Sequence, residues 1–565
     1  MISSKYISKI TVSLVSVILV LCVLAIGFSD KFSATSVSAG YTMEYEEKLF
    51  DTSEIIDINI IMDGEKWDEM LENASQETYY ECDAVINGTT FKSVAIRPKG
   101  NTSLSSIARD PDNNRYSFKL EFDGFIDGQT CFGLDKLILN NNYADATNMK
   151  EAIIYDMFNY LGADASLYNY AKISVNDEYW GVYLALEAVE GSFMLRNYGT
   201  EKGYLYKPDS MNHNNSDKDK SGGKSSGNGF QAPPGGDFGG GKEGFAKMPD
   251  MKNGESPSGR NGKGRPDKAS EDGESPSGKS GKGRPDNNSE GGENQSGKRG
   301  MRGGMPGGGG FGNMGGGANL NYIDDELDSY STIWDGEINK SDKKDHKRVI
   351  TALKNISQRN DIEKYIDVDQ ILKYMAVHNF SVNEDSLSGN MAHNYYLYEA
   401  NGQISIVPWD YNLSFGGMGR GSGTSVVNSA IDDSWSSTQL FDFVFESEEY
   451  TARYHEYYEK LINEYFESGR FDETYNRIRS QIDGLVKDDP NAMYDYDEYV
   501  KAAEILYETV TLRAQSIKGQ LDGSIPSTSE AQTADSSSLI DASFINLSDM
   551  GQFMNGGFDS SEDDD

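Results

Sequence analysis

Apolar and polar residues alternate along Ile55-Ile56-Asp57-Ile58-Asn59-Ile60-Ile61, the period of a half-buried strand. Short apolar runs at Val94–Ile96, Tyr116–Phe122 and Lys136–Leu139 are bounded by Gly, Asn or Asp and predict further strands. Ile173–Val175 and Val182–Ala185 read as a hairpin around Asn176-Asp177. The period turns helical over Lys66–Ala74 and over Met149–Leu161, where Gly162 supplies a stop. Residues 46–207 therefore predict a mixed α/β region. After residue 319, helical patterns cover Lys344–Ile356 and Val368–Asn379. Strands Tyr395–Tyr398 and Ile404–Val407 then flank an Asn401-Gly402 turn, and Thr438–Gly523 is helical in period.

Between these regions, residues 208–318 are Gly, Ser, Pro, Asn and Lys with almost no large aliphatics. Such a segment buries too little apolar surface to offset its ordering entropy, so disorder is expected. Gly254–Asp272 recurs as Gly273–Gly291, but neither copy carries the apolar positions that a stacked repeat needs. The segment reads as an insertion into one domain, not a linker between two. The Ser/Thr/Asp-rich end, residues 524–565, is expected to form a disordered acidic tail. In residues 1–40, Lys5 and Lys9 precede an uncharged apolar run, Ile10–Phe28. That run is a signal peptide or a signal anchor, with the rest of the chain outside the cytoplasm, and its distance from Val37-Ser38-Ala39 favours the anchor.

Charge narrows the function. Ninety acidic residues against 52 basic ones give a net charge of −38, which argues against nucleic acid as a partner and for basic protein segments or divalent cations. Of three cysteines, Cys22 lies in the apolar run; Cys82 and Cys131 lack metal-site spacing and are expected as isolated buried thiols. Five histidines leave little for histidine-based metal chemistry.

The chemistry concentrates in two polar segments, Val382–Tyr398 and Ile406–Gly417. Transfer of a phosphoryl group needs a carboxylate for the incoming hydroxyl and oxygen ligands for a divalent ion on the phosphates. Asp385 and Asn390 have the Asp-x4-Asn spacing that does this work in protein kinases, and Asp410 follows a hairpin, where a second metal-binding Asp belongs. Lys119 sits inside an apolar strand as a phosphate-binding lysine should. Glu151, early in the next long helix, is its expected partner. Arg97-Pro98-Lys99-Gly100-Asn101 is a polar loop able to cover phosphates with backbone N–H groups, making Arg97, Gly100 and Asn101 candidates.

RPKGNTS, SFKLEFDGF, LDKLILNNNYADATNMKEAIIYDMFNYLGADA, YAKISVNDEYWGVYLALEAVEGSF, GYLYKPD, VDQILKYMAVHNFSVNEDS, AHNYYLY and VPWDYNLSFGG resemble, in order, the motifs of the spore-coat-protein-H (CotH) kinase family over roughly residues 46–417. The resemblance implies an α+β, atypical protein-kinase-like two-lobed fold, here with a long insertion and a helical C-terminal region. It implies transfer of phosphate from ATP, with Mg²⁺ or Mn²⁺, to serine in basic Ser/Lys-rich protein segments. Carried over, Asp385 is the catalytic carboxylate and Asp410 the metal ligand, while Asn390 and Asn394 compete for the second metal position. Glu187 lines the nucleotide pocket or serves as a hinge, and Lys207 is the alternative phosphate lysine. Asp385 does not stand in an HRD triplet nor Asp410 in a DFG triplet, so the correspondence to ordinary kinases is one of role. Ser256, Ser258, Ser275, Ser277 and Ser280 of the insertion are candidate autophosphorylation sites. A non-catalytic surface or coat-assembly protein is the competing reading.

Overall fold

The computed structural model describes residues 40–111, 113–208, 316–419 and 421–553. The apolar run Ile10–Phe28, the two 19-residue repeats, the five candidate serines and the last residues of the tail lie outside the described residues.

The first half builds β1 (Ile56–Ile61), α1 (Gly64–Glu72), β2 (Tyr80–Ile86), β3 (Thr89–Lys99), α2 (Thr102–Ile107), β4 (Ser117–Glu121), β5 (Lys136–Asn140), α3 (Lys150–Leu161), β6 (Tyr168–Val175), β7 (Glu178–Glu187), α4 (Gly191–Tyr198) and β8 (Tyr204–Tyr206). The second half adds α5 (Lys343–Ser357), α6 (Val368–Ser381), β9 (Tyr395–Ala400), β10 (Gln403–Pro408), α7 (Glu448–Lys460), α8 (Arg470–Lys487) and α9 (Tyr496–Asp522), with shorter turns of helix between them.

The alternation read in β1 holds: Ile56, Ile58 and Ile60 are buried and join a core with Ala84, Ile86, Ile96, Phe118, Leu120, Leu137, Leu139, Ala171, Ile173 and Ala185. These residues line the inside of a closed barrel of order β1-β2-β3-β4-β5-β7-β6. Closure comes from β1, which pairs antiparallel with β2 and parallel with β6, Ile56 opposite Ala171 and Ile60 opposite Val175. This corrects the two-lobed, kinase-like expectation: the N-terminal strands form a seven-stranded barrel with no open edge, and the helices gather in the C-terminal region. Alternation specifies which face of a strand is buried, not which distant strand it meets, and the β1–β6 pair joins segments more than a hundred residues apart. The β6–β7 turn falls at Asn176-Asp177, with φ of +52° and +69°, the left-handed pair that a two-residue hairpin requires.

On the outer face of the barrel, Ile138, Val182, Leu184 and Leu186 pack against α3 and a second core shared with α5 to α9. Helix α3 is buried along most of its length and ends at Gly162, φ +68°. Arg115 ties barrel to helices: its guanidinium meets Asp489 at 2.5 Å and the Val182 carbonyl at 2.5 Å, with both side chains almost fully buried.

Strand β8 precedes the 209–315 segment and β9 follows it, yet the two pair in one three-stranded sheet of order β10-β9-β8. The segment thus interrupts a single folded unit. The tail also departs from expectation. Residues 524–553 are packed, not disordered: a short helix spans Ser529–Ala534, and Ala542, Leu547 and Met550 are buried. The Ala146 N–H donates to the Met550 carbonyl (3.1 Å) and the Phe553 N–H to the Gly417 carbonyl (2.9 Å). Compositional bias toward Ser and Asp concealed the few apolar anchors that suffice to dock it. Cys82 and Cys131 are free buried thiols, each pushed up by burial. No helix among the described residues is long and apolar enough to cross a membrane.

Candidate active site

Four segments converge: the end of β3, the start of α3 and the two loops on either side of the β9–β10 hairpin. Helix α3 begins at a cap built from Asp145 and Thr147. The Asp145 carboxylate accepts from the Thr147 and Lys150 backbone N–H groups at 3.0 and 3.1 Å, and the Thr147 hydroxyl accepts from Met149 N–H at 3.0 Å. This cap places Glu151 in the first buried turn, 1 % exposed.

Glu151 is not paired with Lys119. Its carboxylate accepts from the Asn140 side-chain amide (2.9 Å) and faces the Tyr411 N–H (3.4 Å). The other end of the Asn140 amide accepts from the ammonium of Lys99 (3.0 Å). A relay Lys99–Asn140–Glu151 therefore reaches the residue next to Asp410. Burial pushes Glu151 up to about 8, with the Asp410 charge adding to it. Burial also raises Asp410, opposed by Lys99 and reinforced by Asp385, and lowers Lys99, opposed by Asp410 and Glu151.

Lys119 instead donates to Glu190 (2.7 Å), which also receives Lys136 (2.5 Å). Burial pushes the Glu190 carboxyl up, but the two lysines outweigh it and hold it near about 2. The reason is register. Lys119 lies opposite Arg97 and Ser117 opposite Lys99, so Lys99 stands at the site end of the same face. Sequence reasoning misses Lys99 although it lies within the RPKGN segment; the signal is the Arg-x-Lys alternation there.

The other expected residues separate. Arg97 pairs with Glu77 at 2.9 Å and lies over the Tyr79 ring. Gly100 has φ +136°, and a Cβ there would meet the Ser103 hydroxyl at 2.7 Å; glycine permits the turn into Asn101, the cap residue of α2. Glu187 is fully buried and held by the Arg196 guanidinium, the Tyr45 hydroxyl and the Leu167 N–H. It is engaged in tying α4 to the barrel, away from the relay. Lys207, at the end of β8, lies over the rings of Tyr396 (5.3 Å) and Trp409 (5.1 Å), and its charge acts on Asp410. Lys99 lies 5.7 Å from the same Trp409 ring, so two ammonium groups flank the residue before Asp410.

Asp385 accepts from the Asn394 amide (3.0 Å) and is bonded to the His393 imidazole (2.6 Å). Asn390 is exposed on the intervening turn, so the Asp-x4-Asn spacing does not build the site; Asn394, left-handed at φ +57°, stands against Asp385. Asn383 couples the two loops. Its amide donates to the Asp410 carbonyl (3.1 Å) and its side-chain oxygen accepts from Asp385 N–H (3.1 Å).

Below them His378 is buried between the hydroxyls of Tyr411 (3.0 Å) and Ser388 (2.7 Å). Burial lowers it from 6.5 to about 3, so it is neutral when folded. The unfolded chain takes up this proton below about pH 6.5; the stability is complete above that and is lost as pH falls toward 3. In urea unfolding, the stability difference between wild type and His378→Gln should shrink by up to about 1.4 kcal/mol per pH unit below pH 6. A pH-independent difference would contradict this.

Among the described residues no group of three or more His, Cys, Asp or Glu side chains is arranged to hold a metal unaided. The donors present, carboxylates of Asp385 and Asp410 with the Asn394 amide, are hard oxygen ligands. One or two carboxylates completed by phosphate oxygens is the pattern Mg²⁺ prefers. The repulsion that half-buried Asp410 meets from buried Glu151 on one side and from Asp385 on the other is what a divalent cation would relieve.

The family model for CotH kinase protein matches residues 96–234 and 317–517, more than half of the chain and all of the side chains just described at the converging loops. Inner spore coat protein H of Bacillus subtilis (strain 168) is 23% identical over 165 residues, covering 29% of this chain and 44% of the relative, so the match spans less than half of that protein's length.

Proposed function

The chain belongs to the CotH kinase protein family, and from that premise we propose that it transfers the γ-phosphoryl group of ATP to serine hydroxyls of proteins outside the cytoplasm. The observation that carries the reading is the convergence of the Lys99–Asn140–Glu151 relay on Asp410 and Asp385. Lys99, oriented by Asn140, meets phosphate oxygens, and Lys207 supplies a second positive charge beside Trp409. Asp410, with Asn394, would hold Mg²⁺ or Mn²⁺, which supplies charge neutralisation at the phosphates. Asp385, fixed by His393 and Asn394, accepts the proton of the attacking serine. A new O–P bond forms at the γ-phosphorus, the bond to the β-phosphate oxygen breaks, and ADP leaves. That this chemistry sits on a barrel is no obstacle, since function resides in the site and not the scaffold.

The acidic chain suits basic Ser/Lys-rich substrates, and the N-terminal apolar run suits membrane attachment. The relative's name supports a cell- or spore-surface setting. The test is incubation of the purified full-length chain with γ-labelled ATP, Mg²⁺ or Mn²⁺ and a basic serine-rich peptide. Label on serine is expected. No transfer with either metal would leave the coat-assembly reading in its place.

A further inference from the structure

The last four carbonyls of a helix have no partner within it. At the end of α6, immediately before the Asp385 loop, each accepts from a side chain or from a distant backbone N–H. The His378 carbonyl accepts from the Ser381 hydroxyl (2.7 Å), and the Ser381 carbonyl accepts from Phe415 N–H (2.8 Å), in the loop after Asp410. The two between them, Asn379 and Phe380, accept from Nη2 and Nε of Arg513 in α9, at 3.0 and 3.4 Å. Nη1 of the same guanidinium reaches the carbonyls of Val427 (3.2 Å) and Ser429 (2.5 Å).

Arg513 is fully buried, and every acceptor it meets is a carbonyl; among the described residues no carboxylate forms an ion pair with it. Burial lowers its pKa to about 10, leaving it charged at neutral pH. Without an anion it is compensated by the negative end of α6 and the two loop carbonyls. A glycine cap would end a helix at far lower cost. The residues just beyond α6 give a reason for the guanidinium. Val382 has φ +48°, a costly conformation for a β-branched residue, which persists only where its surroundings over-determine it. Asn383 comes next, bonded to Asp410 and Asp385.

We propose that Arg513 is a positioning residue for phosphoryl transfer, clamping the end of α6 so that the strained Val382 turn delivers Asn383 to the Asp410 carbonyl and Asp385 to His393 and Asn394. The inference rests on the kinase reading above for its catalytic readout.

The test compares full-length Arg513→Gln and Arg513→Lys, each with and without Val382→Gly. It measures steady-state phosphotransfer, binding of a fluorescent ATP analogue, thermal melting and the imidazole ¹⁵N signals of the five histidines. A displacement on the order of 1 Å costs about a hundredfold in rate, so kcat should fall about 10- to 100-fold in Arg513→Gln, less in Arg513→Lys, with analogue affinity within about threefold. The His393 signal should shift. Val382→Gly, by relaxing the turn, should recover kcat in the Arg513→Gln background and not raise it in the wild type. A folded Arg513→Gln with wild-type kcat and an unmoved His393 signal overturns the proposal. So does parallel loss of analogue binding, kcat and melting temperature, or failure of both variants to fold. A wild-type chain that transfers no phosphate sinks the kinase reading, and the His393 signal then decides the clamp.

Discussion

Lys99→Met should lose at least about a hundredfold in phosphotransfer while Lys119→Met stays within a few-fold of wild type. Lys99 is the lysine held by Asn140 and acted on by Asp410 and Glu151. Without its ammonium, Glu151 and Asp410 repel one another with less to offset them, and the phosphates lose an ammonium that Asn140 joins to Glu151. Lys119 belongs to another cluster: it shares Glu190 with Lys136, which keeps that carboxylate paired when Lys119 is removed. Initial rates and analogue binding on the two purified variants, with circular dichroism to confirm folding, make the comparison. An active Lys99→Met beside an inactive Lys119→Met would reverse the assignment.

Asp410→Asn should abolish metal-dependent phosphotransfer, by about a thousandfold or more, without lowering the melting temperature. Asparagine keeps the shape and tolerates the left-handed backbone at Asp410, φ +64°, which alanine would strain. It also removes a half-buried charge that desolvation and Asp385 disfavour, so stability should hold or rise. The same variant should lose the dependence of ATP-analogue affinity on Mg²⁺ or Mn²⁺. Wild-type turnover in folded Asp410→Asn would refute the metal role, and a large drop in melting temperature would recast the residue as structural.

The separate roles of these lysines mark where reading the chain stops. Apolar alternation in β1, and short apolar runs bounded by Gly, Asn or Asp at β4 and β5, identified the strands because burial and chain reversal are local properties. Glu151 was legible from its place in the first turn of a well-marked helix. Which lysine serves it was not: Arg97, Lys99 and Lys119 share one face, and only the register, Lys99 opposite Ser117, sets one of them at the site. Asn394 was a candidate, but the Asp-x4-Asn spacing gave Asn390 equal standing; the choice depends on loop conformation at Ala392 and Asn394, both left-handed. Arg513 and Asn383 carried no signal, since a polar residue in a helix or after one reads as solvated until its distant carbonyl partners are known. The barrel itself hinges on the β1–β6 pair, a contact no window along the chain contains.

The docked tail also orders events in time. Ala146 and Gly417, whose loops lead to Glu151 and back from Asp410, are bonded to Met550 and Phe553. A chain is made from its N-terminus, so both loops are synthesised long before their partners and can make these two bonds only afterwards. A product released early, by premature termination or clipping ahead of Met550, would retain every residue at the converging loops and still lack two of the bonds that order them. Order at the converging loops is thereby linked to the segment from Met550 to Phe553.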